Sequence, residues 1–226
     1  MENNTTPQES ANQRLVISYL ALRRGVGIIG ILLPVILVIG MLFVETCRTI
    51  QPSISDYYYT TMGNVLVGSL CAVGLFLFSY RGYEKKDMVA GKLASLFAVC
   101  IAFFPTGGPD AYSGCNFLHR NSDSWVSTIH DISAAAFFLT LAYFSLFLFT
   151  IKSENPTDRK LMRNNVYRIC GYTILLCIIF LCAYFNIRGL RVALKDYKPV
   201  FAMETIALWA FGFSWLTKGE AILKDK

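Results

Sequence analysis

Charge is scarce in this sequence: only 16% of its 226 residues are Asp, Glu, Lys or Arg, against about a quarter in a soluble domain. That scarcity excludes an ordinary water-soluble fold with a charged skin. Histidine is scarcer still. With only His119 and His130 present, a three-histidine zinc centre cannot be assembled. There is no Gly-rich phosphate loop, no His-Glu-x-x-His pair, no Gly-x-Ser-x-Gly elbow and no Cys-x-x-Cys. These gaps exclude the common nucleotide, zinc-protease, hydrolase-elbow and thiol-redox classes. The sequence names no cofactor. A retinal-type lysine inside the last apolar run is also missing, because Lys218 sits at that run's end. No internal repeat and no Pro/Gly/Ser linker divides the chain, so a single domain is expected.

What is present is apolar residue, 54% of the chain, gathered into long runs. A helix needs roughly 20 mostly apolar residues to cross a hydrocarbon core about 30 Å thick. Six segments meet that requirement, near 25–45, 62–80, 88–105, 125–151, 169–187 and 199–217. The third and sixth are short or interrupted. The expected fold is therefore all-α, an integral membrane bundle of six transmembrane helices. It divides into a disordered and basic N-terminus over 1–24, a six-helix domain over 25–217 and a tail over 218–226. Residues 1–13 in particular read as disordered. The first apolar run is too long for a signal core and is expected to remain as the first span.

The net charge of +6 raises nucleic acid as a partner, but its distribution argues for topology instead. With the N-terminus inside, the inner segments hold fifteen basic residues, among them Arg23, Arg24, Lys85, Lys86, Arg163 and Lys218, and the outer loops hold Arg48, Arg120, Arg188, Arg191, Lys195 and Lys198. By the positive-inside rule both termini are cytoplasmic. The implied location is the plasma membrane, the inner membrane in a Gram-negative cell, with membrane lipid as partner and no nucleic acid. Tyr57, Tyr58, Tyr59 and Trp125 then fall at the outer interface, and Tyr80, Tyr167 and Trp215 at the inner one, as an aromatic belt. Ala94, Ala98 and Ala102, with Gly68 and Ala72, form small-residue faces that serve either helix packing or a homo-oligomer contact.

Of the seven cysteines, five fall within apolar runs, where the thiol serves as a small packing group. Cys47 and Cys115 fall in outer loops, on the oxidising side. They are the candidates for a disulfide, with two free thiols as the alternative.

Candidate chemistry collects at the outer ends of the segments. Glu45 ends the first, and Ser55 and Asp56 lie in the hydroxyl-rich stretch that enters the second. His130 and Asp131 lie about one turn into the fourth, and Glu204 about one turn into the sixth. Ionisable groups within a membrane are costly and face an interior cavity or a partner. These residues are expected to share an outward-facing polar pocket that binds or organises lipid or a small ligand. Two alternatives stand beside it. One is a lipid hydrolase or remodelling enzyme with His130 as general base and Asp56, Asp131 or Glu204 orienting it. The other is an ion- or proton-coupled transporter, against which stands the lack of a matching acid in the inner half.

The order of these features resembles a six-helix superfamily. Pro52-Ser53-Ile54-Ser55-Asp56 precedes the second segment, and a basic loop precedes a Gly/Ala-rich third. His130 with Ala134 and Ala135 opens the fourth, and Glu204 lies in an aromatic sixth. The superfamily includes the damage-regulated autophagy modulator proteins and the post-GPI-attachment remodelling proteins, together with uncharacterised bacterial relatives. The resemblance implies a six-helix bundle concerned with lipid organisation or remodelling, carrying Ser55, Asp56, His130 and Glu204 in a polar outer pocket. A second resemblance, to membrane hydrolases of the alkaline ceramidase and progestin-receptor type, implies zinc. This chain lacks the paired histidines of that pattern.

Overall fold

The computed structural model describes residues 7–44, 48–82, 84–107, 124–150 and 157–224, with side chains from residue 18 onward. Glu45, Cys47 and Cys115 lie outside the described residues. The chain folds into α1 (Pro7–Val44), a 3-10 helix (Ser55–Tyr59), α2 (Gly63–Phe78), α3 (Lys85–Phe103) and α4 (Ser124–Tyr143). A π turn over Phe144–Leu148 extends α4, and α5 (Asp158–Asn186), α6 (Arg188–Leu194) and α7 (Pro199–Lys218) follow. The fold is all-helical, with no strand among the described residues. Four helical stretches are long and apolar enough to cross a membrane: Ser18–Val44, Ser124–Leu148, Asp158–Asn186 and Pro199–Lys218.

The helix ends follow local rules. Thr157 caps α5 by accepting from the Lys160 amide at 3.2 Å, which satisfies one of the donors a helix start leaves open. Glu84 and Asp87 form a reciprocal capping box on α3. Pro199 opens α7, where its missing N–H costs nothing.

Packing arranges six helices in a ring. Each of α1 to α5 contacts the next in sequence, and α7 closes the circle by packing on both α5 and α1. Close approach at two of these contacts depends on glycine. A Cβ on Gly212 would lie 2.8 Å from the Gly27 carbonyl oxygen, and one on Gly27 would lie 2.8 Å from the Gly212 carbonyl. Similarly, a Cβ on Gly91 of α3 would meet the Leu77 carbonyl of α2 at 2.7 Å. Ala94, Ala98 and Ala102 are fully buried within the ring, so that small-residue face is consumed by packing inside the chain.

Two expectations need correction. Residues 7–13 are not irregular: α1 runs unbroken from Pro7. Once the apolar run has nucleated a helix, adding Gln, Glu and Ala residues at its end costs little. The inner aromatics are not a belt either. Tyr80, Tyr167 and Trp215 are each 1% exposed and pack edge to face with one another, Phe144 and Phe149 in one core cluster. Trp125 is exposed as expected, but Tyr57 and Tyr59 are buried.

The two ends of the ring differ. At one end, here the basic end, Arg23 and Arg24 donate to the Lys218 and Gly219 carbonyls at the C-terminus of α7. Cations there satisfy the last carbonyls and complement the helix dipole. The opposite end, here the site end, gathers the 3-10 helix, the C-terminus of α3 and the N-termini of α4 and α7.

Candidate functional site

The site begins with a short irregular segment, residues 50–54, laid across the start of α7. The Phe201 amide donates to the Pro52 carbonyl at 2.9 Å, and the Lys198 ammonium donates to the Ile50 carbonyl. Glu204 completes the clasp by accepting from the Ile54 amide at 2.6 Å. The first-turn amides of a helix have no partner inside it, so the segment works as a cap for α7. Lys198 reaches its position from a left-handed conformation, φ 50° and ψ 53°, which is uncommon for a non-glycine residue.

The clasp sets the 3-10 helix that follows. Ser53 donates to an Asp56 carboxylate oxygen at 2.8 Å and accepts from the Asp56 amide at 3.0 Å. This reciprocal pair closes the turn just as a capping box closes a helix start. It leaves Ser55 partly exposed and directed at α4.

There Ser55 Oγ lies 2.9 Å from Nε2 of His130. The other ring nitrogen, Nδ1, lies 2.7 Å from the carbonyl oxygen of Phe104, at the end of α3. A carbonyl can only accept, so Nδ1 carries a proton. With the ring neutral, Nε2 holds the lone pair and accepts the Ser55 hydroxyl proton. His130 itself is 4% exposed. Tyr59 adds a parallel bond by donating to the Thr106 carbonyl at 2.7 Å. The carbonyls of Phe104 and Thr106, just past the end of α3, thus find donors on α4 and on the 3-10 helix.

Two buried donors nearby have no hydrogen-bond acceptor, Gln51 Nε2 and the Tyr57 hydroxyl. Burial pushes the Tyr57 hydroxyl up to about 12, only partly offset by the Gln51 backbone, so at neutral pH it remains a donor.

Of the residues singled out from sequence, Ser55, Asp56, His130 and Glu204 come together at this end. Asp131, on the exposed face of α4, makes none of the hydrogen bonds that tie these four together, although its charge reaches His130 and Glu204. One helical position from His130 is about 100° around the axis, which turns Asp131 outward while His130 faces the interior. Ser53, Tyr59 and Lys198 were missed. A Ser-x-x-Asp spacing was a readable signal for Ser53. The Ile54 amide and the Phe104 carbonyl are backbone groups, and no side-chain pattern announces them. Among the described residues no three His, Cys, Asp or Glu side chains gather as a metal site. Comparison with protein-family models, curated proteins and solved structures returns no match.

Proposed function

We propose that this chain is a plasma-membrane protein of six spans, with both termini cytoplasmic, whose site end faces outward and holds the head group of a lipid or a small ligand. The observation that carries the reading is the convergence at Ser55. Segment 50–54, α3, α4 and α7 are all tied there by polar bonds through Glu204, Ser55 and His130. Such groups are costly at a membrane boundary and recur where a substrate or ligand is handled. A purely structural role would need only the capping bonds. It would not account for a partly exposed serine hydroxyl on a buried imidazole.

Four crossings are given by length and hydropathy; α2 and α3 supply the other two in this reading. They are shorter, at 16 and 19 residues. The outward face of α3 nevertheless carries Val89, Leu93, Leu96, Val99 and Phe103, all exposed, and that stripe belongs in lipid rather than water. Lys85 and Lys86 at its start suit the cytoplasmic boundary.

Native mass spectrometry from mixed-lipid nanodiscs tests the ligand reading. Wild-type protein is expected to retain a bound lipid or polar metabolite that His130→Ala and Glu204→Ala variants lose. Equal retention by all three, or none by wild type, contradicts it.

A further inference from the structure

The hydrogen-bond string at the site end is more than a cap, because its polarity is fixed. The Phe104 carbonyl holds the proton on Nδ1 of His130 and holds the ring plane, so the only basic lone pair of the imidazole points at one atom, Ser55 Oγ. The ring is buried and the serine partly exposed, so the base lies behind the nucleophile. Nucleophile, base and orienting group within hydrogen-bond reach of each other are the requirement for an activated hydroxyl. Here a backbone carbonyl takes the orienting place that a carboxylate often fills.

Resting on the ligand reading above, we propose that Ser55 is a catalytic nucleophile that accepts an acyl group from an ester, with His130 as its general base. In the first step the Ser55 oxygen bonds to the ester carbonyl carbon while its proton passes to Nε2. The imidazolium so formed keeps its Nδ1–H bond to Phe104. Collapse of the tetrahedral intermediate breaks the bond to the ester alcohol, which departs with the Nε2 proton and leaves acyl-Ser55. Water, losing a proton to Nε2, then attacks the acyl carbonyl. Ser55 leaves with that proton, and a carboxylic acid is released. No redox partner or metal is required. Asp56 and Glu204 are positioning residues that fix the turn bearing Ser55. The substrate class is an acyl ester presented at the membrane surface, which an O-acylated lipid or a small soluble ester satisfies equally.

A fluorophosphonate probe applied to the full chain in nanodiscs, followed by peptide mapping, tests the proposal. Ser55 should be phosphonylated, and Ser127, equally half-buried but with its hydroxyl donating to the Ser124 carbonyl, should not. His130→Asn keeps a side-chain N–H for the Phe104 carbonyl but has no base, and it should slow labelling of Ser55 about 100-fold or more, the lower end of what a general base supplies. Turnover of a diacylglycerophospholipid against that of p-nitrophenyl acetate then distinguishes a lipid substrate from a soluble one. An unlabelled Ser55 in wild type, labelling that ignores His130, or equal labelling of Ser127 overturns the proposal. If lipid is still retained in the native spectra, only the nucleophile is lost. If retention fails too, the ligand reading falls with it.

Discussion

Glu204 and the Ile54 amide show how single atoms set this site. Removing a partner from a buried hydrogen bond costs about 1–3 kcal/mol because the remaining group stays unsatisfied. Glu204→Ala strands the Ile54 amide, whereas Glu204→Gln still offers it a carbonyl oxygen. Thermal unfolding in detergent should therefore show a clearly lower midpoint for the alanine variant than for the glutamine variant. Equal midpoints would mean that the 2.6 Å bond contributes nothing to the clasp. The same atoms explain what could be read beforehand. Side-chain chemistry at Ser55, His130 and Glu204 was legible because acids and histidines stand out in apolar runs. Their actual partners, an amide and a carbonyl, were not, because every residue has both.

At the scale of elements, the six apolar runs were legible from hydropathy alone, and α2, α3, α4 and α7 follow them closely. α5 differs: it begins at Asp158, about three turns before the apolar run. Its polar lead-in is helical because Thr157 caps it and because a growing helix extends readily. The glycine crossing of α1 and α7 was also not legible, since Gly27 and Gly212 lie in different segments and only their meeting gives them meaning. Gly212→Ala should destabilise by about 1–3 kcal/mol, the usual range for overpacking, because its Cβ would press on the Gly27 carbonyl at 2.8 Å and on Ile31 at 2.5 Å. Gly68→Ala is the control. Nothing lies within 4 Å of a Cβ there, and alanine favours helix by about 1 kcal/mol over glycine. Denaturation in detergent micelles that ranked Gly68→Ala as the more damaging change would refute this packing.

For the whole molecule, the asymmetry between ends organises the account. The basic end is sealed. Arg23 and Lys218 are buried at 6% and 7% exposure, with the Arg23 guanidinium 4.5 Å from the Tyr19 ring centre and the Lys218 ammonium 5.2 Å from that of Phe149. Buried cations over aromatic faces recover part of their desolvation cost. The site end instead leaves Ser55 accessible. In the proposed topology the excess of Lys and Arg puts the basic end in the cytoplasm. An impermeant thiol reagent applied to intact cells, with the native cysteines replaced, should label Gly189→Cys, where the chain is open, and should spare Lys86→Cys. The reverse pattern would invert the topology and place the site inside the cell.

The central claim is that His130 presents an unprotonated Nε2 to Ser55, and the scarcity of histidine makes it directly measurable. With His119→Gln, only one imidazole remains in the chain. Nitrogen-15 NMR of histidine-labelled protein in nanodiscs at neutral pH then reports the two ring nitrogens of His130 alone. Nδ1 should be protonated and insensitive to Ser55→Ala, and Nε2 should be unprotonated and hydrogen-bonded, with a resonance that moves when Ser55 is replaced. A proton resident on Nε2, or an Nε2 resonance unchanged by Ser55→Ala, would contradict it.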